Sequence, residues 1–148
     1  MPQPLRLRKD GCACLAGHTP VYTIAAVTAY PWIQRERVRF RDVDAMGHVN
    51  NAVYSTYLEQ ARIGILGGLE PFILARVEID FRAQLEEGAD VEVRSRCSHV
   101  GTKSFELQHE IWSADRLVAE AKSVLVGYDY ERSLSVPISD HLRRTLTT

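Results

Sequence analysis

The sequence lacks three features that would each point to a particular class of protein. No apolar run approaches the roughly 20 residues that a membrane-spanning helix needs. The cysteines Cys12, Cys14 and Cys97 are odd in number, and the first two are too close together for the usual zinc spacing, so no disulfide framework is predicted. Residues 41–148 carry 12 basic against 17 acidic side chains, which disfavours a broad nucleic-acid surface. These absences predict a cytoplasmic protein that binds neither nucleic acid nor membrane.

What remains is an ordinary globular composition. The chain has 148 residues, of which 45% are apolar and 25% charged, and its net charge is −1. A chain of this length can bury enough surface to fold as one domain without a metal or a disulfide. Residues 1–33 contain four prolines and no sustained periodicity, so we expect an N-terminal extension there and one folded domain over residues 34–148.

One segment, residues 51–66, has the apolar periodicity of a helix. Its apolar side chains recur every three or four residues, at Tyr54, Leu58, Ala61 and Ile65. Asn50 or Asn51 can cap the start of this helix, and Gly67 with Gly68 can end it by adopting positive φ. The pattern therefore predicts a single long helix with defined ends.

The rest of the chain alternates apolar and polar residues, which is typical of strands with one buried face. A first strand is predicted over residues 37–41, and four more follow the helix, over residues 76–82, 91–100, 105–111 and 117–128. Short turn segments join the last three as hairpins. We therefore predict an α+β domain in which a curved antiparallel sheet covers the helix, and its open edges predict dimerisation.

The densest polar cluster, residues 41–51, lies between the first strand and the helix. It contains two carboxylates, an imidazole and two amides, at Asp42, Asp44, His48, Asn50 and Asn51. Unsatisfied N–H groups at a helix start favour negative charge, such as that on the oxygen of a tetrahedral acyl intermediate, and a nearby carboxylate can act as base or nucleophile. The same residues can instead build a turn and cap the helix. Residue types alone leave both interpretations open.

The order of these residues resembles that of the hotdog-fold acyl-CoA thioesterases, in the branch typified by 4-hydroxybenzoyl-CoA thioesterase. The matching elements are Asp-x-x-Gly-His-Val-Asn-Asn at residues 44–51, Tyr-x-x-Tyr-Leu-Glu at residues 54–59 and a Val-Gly-Thr-Lys-Ser hairpin at residues 100–104. The combination is more specific than any of its parts. The resemblance covers about residues 34–128.

The resemblance implies a five- or six-stranded sheet wrapped around one long helix, with a thioester site between the protomers of a homodimer or homotetramer. It implies an acyl-CoA substrate and no metal or organic cofactor. Asp44 is expected to act as general base or nucleophile, and the helix-start amide of Asn51 to polarise the thioester carbonyl. His48 either positions substrate or water or only hydrogen-bonds its own loop. The expected substrate-binding residues are Gly47, Val49, Asn50, Tyr54, Glu59 and Lys103.

Other branches of this family arrange the same groups differently. The plant acyl-carrier-protein thioesterases place an asparagine where this chain has Met46, so their acid–amide–imidazole arrangement does not carry over whole. Another branch uses a glutamate on the helix, which makes Glu59 a second candidate acid. The other interpretation of Glu59 is an exposed residue paired with Arg62. Lys103 either contacts a CoA phosphate or is simply solvated.

Two rival functions belong to different classes. A hotdog enoyl-thioester hydratase resembles a pattern with Asp five residues before His and an Asn-Pro between them, whereas Asp44 precedes His48 by four residues without a proline. A non-catalytic acyl-CoA-binding module gains nothing from the negative charge of Asp44 beside an acyl carbonyl. Both observations favour the thioesterase. No role is predicted for His109, and Cys97 is predicted to be a small core residue.

Overall fold

The computed structural model describes residues 29–67 and 71–147 of the chain. Most of the predicted extension, including Cys12 and Cys14, therefore lies outside the described residues. The described part contains six strands and two helices: β1 Trp32–Arg37, α1 Asn51–Leu66, β2 Phe72–Phe81, β3 Asp90–Val100, β4 Ser104–Ser113, β5 Arg116–Asp129, β6 Leu134–Ser135 and α2 Asp140–Leu146. Within these ranges, neither helix is long and apolar enough to cross a bilayer.

The strands form a curved antiparallel sheet in the order β1-β3-β4-β5-β2, with the short β6 paired to β5. The four strands predicted after the helix are confirmed, and so are the hairpins that join β3, β4 and β5. β1 and β2 are the outer strands of this order. The α+β prediction with a five- or six-stranded sheet agrees with this architecture, but the chain has a second helix, α2, beside the one long helix expected.

α1 begins and ends where its sequence predicted. The Asn50 side chain caps the start by accepting a hydrogen bond from the Ala52 N–H at 2.9 Å. Gly67 ends the helix with φ of +61°, and its N–H donates to the Ile63 carbonyl at 3.1 Å. A left-handed residue at this position is favourable for glycine because glycine has no Cβ to clash with the preceding turn.

α1 packs on one face of the sheet, which we call the inner face. The shared core contains tyrosine, leucine and alanine side chains of α1 together with branched side chains of the strands: Tyr54, Tyr57, Leu58, Ala61, Val91, Val93, Ile111 and Val118. A second cluster joins α2 to the far end of the sheet through Leu142 and Leu146, which pack with Phe105 and Leu107. Cys97 is partly buried and packs against this second cluster, as predicted.

The strand predicted over residues 37–41 is wrong in its position. β1 begins at Trp32 and ends at Arg37, and a 3₁₀ turn over Phe40–Asp42 follows, in which Phe40 is 81% exposed. The Asp42 carboxylate accepts the Arg39 N–H at 2.8 Å while the Asp42 N–H donates to the Arg39 carbonyl at 2.9 Å. These two bonds close a turn, and local bonds of this kind compete with strand pairing. β1 also includes Trp32 and Ile33, which precede the domain boundary predicted at residue 34.

α1 covers the inner face only in part over β2, where Ile79 still packs against the core. Leu74, Val77 and Phe81 are the β2 residues opposite Leu125, Ser123 and Ala119 of β5, and the β5 residues are buried. The three β2 side chains are nevertheless 38–46% exposed. We call them the β2 patch. It is an apolar surface on an outer strand, directly beside the core.

Candidate active site

A tight loop before α1 holds the predicted catalytic acid. Val43 and Val49 form an isolated antiparallel bridge, and the Asp44 N–H donates to the His48 carbonyl at 2.8 Å. The Gly47 N–H closes a turn by donating to the Asp44 carbonyl at 3.0 Å. Gly47 has φ of +83°, and a Cβ placed there would meet no atom within 4 Å. Glycine is therefore required at this position by backbone conformation rather than by space.

The Asp44 carboxylate is exposed and uses one of its oxygens to hold the loop. Oδ1 accepts the Met46 N–H at 2.8 Å and, more weakly, the His48 N–H at 3.5 Å. This is an Asx-type turn, in which an aspartate side chain stabilises the backbone two residues further on. Among the residues that the structure describes, no hydrogen bond to Oδ2 is recorded. One oxygen of Asp44 thus orders the loop while the other stays available.

The first turn of α1 leaves one backbone donor available. The Asn50 side chain accepts the Ala52 N–H at 2.9 Å, and the Asn50 carbonyl accepts the Val53 N–H at 2.9 Å. The Asn51 N–H has no recorded acceptor in the described ranges, and Asn51 is exposed. Because the positive end of the helix dipole lies here, this N–H is suited to hold a developing oxyanion.

Asp44, His48, Asn51 and Tyr54 line one cleft of about 460 Å³. The facing wall comes from the end of β2 and the segment after it: Phe81, Arg82, Ala83 and Gln84. Four residues predicted for the site are therefore brought together. Sequence reasoning missed the facing wall because these residues lie about 30 positions further along the chain and carry no local motif.

Aromatic packing shapes the apolar side of this cleft. The Tyr54 ring meets the Phe81 ring edge-on, with 5.0 Å between the ring centroids. Burial raises the pKa of the Tyr54 hydroxyl, so it stays protonated near neutral pH. On the facing wall, the Arg82 guanidinium donates to the Glu120 carboxylate at 2.8 Å. The cleft thus combines an acid, a helix-start donor and an apolar wall.

The other residues predicted to bind substrate occupy different positions. Val49 borders the cleft but its side chain is buried in the core, and Asn50 caps α1. Glu59 is exposed on α1 and does not line the cleft, and it forms no ion pair with Arg62 among the described contacts. Lys103 lies at the opposite end of the sheet, where its Nζ donates to the Ser135 carbonyl at 2.9 Å. Within one chain, neither Glu59 nor Lys103 belongs to the cleft.

Asp42 faces away from this cleft and has a structural role. Besides closing the 3₁₀ turn, its Oδ2 accepts a long hydrogen bond of 3.4 Å from the Tyr57 hydroxyl. Burial and the Asp42 carboxylate together raise the pKa of Tyr57. Arg41 approaches the same carboxylate at 4.0 Å. From the sequence, Asp42 is predicted to be a turn residue or an ion-pair partner of Arg41, and these contacts agree with that prediction.

Sequence reasoning also missed a buried polar group under α1. His109 of β4 is only 2% exposed, and its Nδ1 lies 2.7 Å from the Ser95 Oγ of β3. Burial, with a smaller contribution from the Arg62 charge, lowers the pKa of His109 to about 3. Ser95 and His109 are both buried and neither lines the cleft, so Ser95 is not placed to attack a substrate held there. The one signal in the sequence was that His109 falls in the apolar phase of its strand, which predicts that it lies on the buried face.

The described residues contain no group of three or more histidine, cysteine, aspartate or glutamate side chains arranged to hold a metal ion. Near the cleft, and among the described residues, Asp44 holds the loop through Oδ1 only, and Glu120 pairs with Arg82.

Known proteins resemble the chain in sequence and in fold. A family model described as the thioesterase-like superfamily matches residues 38–146. A thioesterase from Thermus thermophilus, solved in complex with coenzyme A and zinc, is 31% identical over 79% of this chain and 92% of its own, with a TM-score of 0.72. No curated protein gives a significant sequence match.

Two further solved structures share the fold at lower identity. A predicted thioesterase from Bacillus stearothermophilus is 24% identical over 78% of this chain and 93% of its own, with a TM-score of 0.74. A 1,4-dihydroxy-2-naphthoyl-CoA thioesterase from Synechocystis is 19% identical over 78% of this chain and 95% of its own, with a TM-score of 0.73. These two likenesses concern the fold alone.

Proposed function

The chain belongs to the thioesterase-like superfamily and is a thioester hydrolase, and we propose that it hydrolyses an acyl-CoA to a free acid and CoA with Asp44 as the central residue. The resemblance to hotdog acyl-CoA thioesterases drawn from the sequence is confirmed at the level of the family. One observation carries the proposal for the site. Asp44 Oδ2 and the Asn51 N–H, neither with a recorded partner in the described ranges, belong to residues that line the same cleft.

The substrate carbonyl would sit between these two groups. The Asn51 N–H donates a hydrogen bond to the thioester oxygen, and the dipole of α1 favours the negative charge that develops there. This places the carbonyl carbon on the side of the cleft that Asp44 occupies. His48, also on the cleft and partly buried, orients substrate or water.

Asp44 can act in either of two ways. As a general base it takes a proton from water, the resulting hydroxide adds to the carbonyl carbon, and collapse of the intermediate breaks the C–S bond. As a nucleophile its oxygen adds to the carbonyl carbon, the C–S bond breaks to leave an acyl anhydride on Asp44, and water then hydrolyses that anhydride. In both routes CoA leaves as a thiolate, which is stable enough to need no dedicated general acid.

We further propose that the protein works as a homodimer, or as a homotetramer of such dimers, in which β2 pairs with its symmetry copy. Among the strands of the described ranges, β2 is an outer strand that pairs with β5 alone, and the β2 patch on it exposes apolar side chains. Long outer strands of this kind are usually paired or covered. Pairing two copies would satisfy the strand edge and bury the patch together.

This dimer gives Lys103 a place in the site. The Lys103 carbonyl accepts the Gly127 N–H at 2.8 Å, and Gly127 lies opposite Phe72, at the start of β2. The cleft lies at the other end of β2, at Phe81. Because antiparallel self-pairing reverses the strand, Lys103 of the partner subunit would approach this chain's cleft. A CoA phosphate is the group that such a lysine would bind.

The odd number of cysteines predicts no disulfide framework, as is usual for proteins of a reducing compartment. This supports a cytoplasmic location, where acyl-CoA is available.

The two rival functions lack comparable support. A hydratase would need an acid and a base placed around an acyl double bond, and a binding module would have no use for the uncompensated carboxylate of Asp44.

Thiol release from a panel of acyl-CoA substrates tests the proposal. The panel runs from short and aromatic to long acyl chains, with enoyl-CoA included, and free CoA is followed with a thiol reagent. A thioesterase frees CoA, a hydratase changes the enoyl absorbance without freeing it, and a binding module does neither. Either of the last two results across the whole panel would contradict the proposal.

Single turnover in ¹⁸O water separates the two roles of Asp44. Label recovered in Asp44 by peptide mass analysis would indicate the anhydride route. Label found only in the product acid, with no acyl group trapped by hydroxylamine in the same single turnover, would indicate a general base, whereas a trapped acyl group would indicate an anhydride that water opens at its acyl carbon.

A further inference from the structure

A buried arginine lies on the same stripe of α1 as the cleft residue Tyr54. Tyr54, Leu58 and Arg62 follow one another at intervals of four residues and are all buried, with Arg62 only 8% exposed. Residues spaced by four lie one above the other on a helix. At a rise of 1.5 Å per residue, Arg62 is about 12 Å further along the helix than Tyr54.

The positive charge of Arg62 lacks an ion-pair partner. Its Nη1–H donates to the Ser123 Oγ at 3.3 Å, and no carboxylate lies within ion-pair distance of it among the described residues. Glu59, one turn earlier on α1, is exposed and acts on Arg62 only through space. A buried charge without a counterion is unfavourable, so this guanidinium is suited to receive an anion.

A second buried donor lies nearby and is also incomplete. His109 Nε2 is the one fully buried side-chain nitrogen or oxygen that lacks a hydrogen-bond partner in the described part of the chain. The ring is neutral at physiological pH, because burial and Arg62 lower its pKa to about 3. When the Ser95 hydroxyl donates to Nδ1, the proton of the neutral ring is on Nε2, where it can be donated. Arg62, Ser123 and His109 then form a buried polar set in which Ser123 accepts one Arg62 N–H, while the other Arg62 N–H groups and the His109 Nε2–H have no recorded acceptor among the described residues.

The approach to this set is open from the side of β2. Val77 lies directly opposite Ser123 in the sheet and is 38% exposed, so α1 covers it only in part. Phe81, further along the same face, borders the catalytic cleft. The β2 patch therefore extends as an apolar surface from Phe81, at the edge of the cleft, to Val77, opposite Ser123. The proposed dimer would cover this surface and make an unpaired guanidinium still less favourable.

We propose that Arg62, with Ser123 and His109, binds a carboxylate at the far end of the acyl group, so that the preferred substrates are CoA thioesters of dicarboxylic acids. This inference rests on the proposed thioesterase function and names its substrate class. The thioester lies at the start of α1 and the carboxylate at Arg62, while the apolar chain between them contacts the β2 patch. Arginine is well matched to a carboxylate because two of its N–H groups can donate in parallel.

The test compares pairs of acyl-CoA substrates of equal length, one ending in a carboxylate and one in a methyl group. The wild-type enzyme is expected to prefer the carboxylate member by kcat/KM, most strongly where the acyl chain spans about 12 Å. Arg62→Met should lower that preference about 10- to 100-fold, the usual effect of losing a hydrogen bond to a charged group. Arg62→Lys, which keeps the charge but loses the paired donors, should fall in between.

The control variant is Arg132→Met, which removes an exposed arginine whose recorded partner is Asp129. It should leave both the activity and the preference unchanged. Methionine at position 62 fills similar volume, and replacing buried charges by apolar residues is often tolerated. If the wild type hydrolyses the neutral series but shows no preference for the carboxylate members, the inference is wrong and the thioesterase proposal stands. If no acyl-CoA in either series is hydrolysed, the proposed function itself fails.

Discussion

Asp44→Asn separates the chemical role of Asp44 from its role in the loop. In the wild type, Oδ1 accepts the Met46 N–H at 2.8 Å, and an asparagine side-chain oxygen can accept the same bond. The substitution therefore preserves the Asx turn that positions residues 44–48. What it removes is the negative charge and the ability of Oδ2 to accept a proton or attack a carbonyl. Asp44→Ala removes both functions, because alanine has no acceptor.

The two variants should differ in stability but agree in activity. Because Asn keeps the loop bond, Asp44→Asn should change the free energy of unfolding by less than about 0.5 kcal/mol, whereas Asp44→Ala should lose about 1 kcal/mol. Both should lower kcat by about 10²–10⁴-fold, the usual contribution of a positioned base, and by more if Asp44 is the nucleophile. That loss corresponds to roughly 3–5 kcal/mol of activation free energy. KM should change little, because the CoA contacts remain.

The assay is thiol release at saturating acyl-CoA, with denaturant unfolding of the same preparations. Asp42→Asn is the matched control, since Asp42 lies two residues earlier, closes the 3₁₀ turn and does not line the cleft. It should keep kcat within a few-fold of the wild type. Near-normal turnover by Asp44→Asn would refute the assignment, and Glu59 would then be the acid to test by Glu59→Gln.

Three further predictions concern the fold around the site. The pKa of His109 is about 3 in the folded chain and 6.5 as its ordinary value, so between these pH values the unfolded chain binds a proton that the folded chain does not. The free energy of unfolding should therefore be at its full value above about pH 6.5 and fall by about 1.4 kcal/mol per pH unit as the pH drops towards 3. His109→Leu should flatten this slope in urea titrations. Gly47→Ala should lower stability by about 1 kcal/mol in the same assay, because φ of +83° is unfavourable for alanine. Val77→Lys should dissociate the dimer in light scattering, because it places a charge in the β2 patch. Ile33→Lys, at a comparably exposed site on β1, should leave the dimer intact. A wild-type mass of 16.7 kDa at micromolar concentration would contradict the dimer itself.

Local patterns predicted those parts of the structure that depend on neighbours in the sequence. The bounds of α1 follow from the Asn50 cap and Gly67, and the hairpins follow from alternation and short turns. The first strand was misplaced because Arg37 to Arg41 alternates like a strand, yet the Asp42 side chain bonds the Arg39 backbone and turns the chain. A side chain that competes with the sheet for a backbone donor leaves no trace in hydrophobic periodicity.

The far wall of the cleft and the buried arginine could not be predicted for a different reason. Arg82 reaches the cleft because β2 runs the length of the sheet and the segment after it returns to the loop, where the Val49 N–H donates to the Leu85 carbonyl at 2.9 Å. Arg62 was expected to pair with Glu59 on the helix surface, but its stripe faces the sheet, and it bonds Ser123 instead. Both outcomes depend on contacts between residues far apart in the sequence.

The structural and the catalytic interpretations of residues 44–51 are compatible, because they assign different atoms of the same residues. In Asp44, Oδ1 holds the loop and Oδ2 keeps no recorded partner among the described residues. In the first turn of α1, the Asn50 side chain takes the Ala52 N–H, so that capping leaves the preceding Asn51 N–H available. Each residue needs its structural bond to fix the position of its free group, since a base or an oxyanion donor is effective only when its geometry is set in advance. A turn-and-cap sequence is therefore what a site of this kind requires.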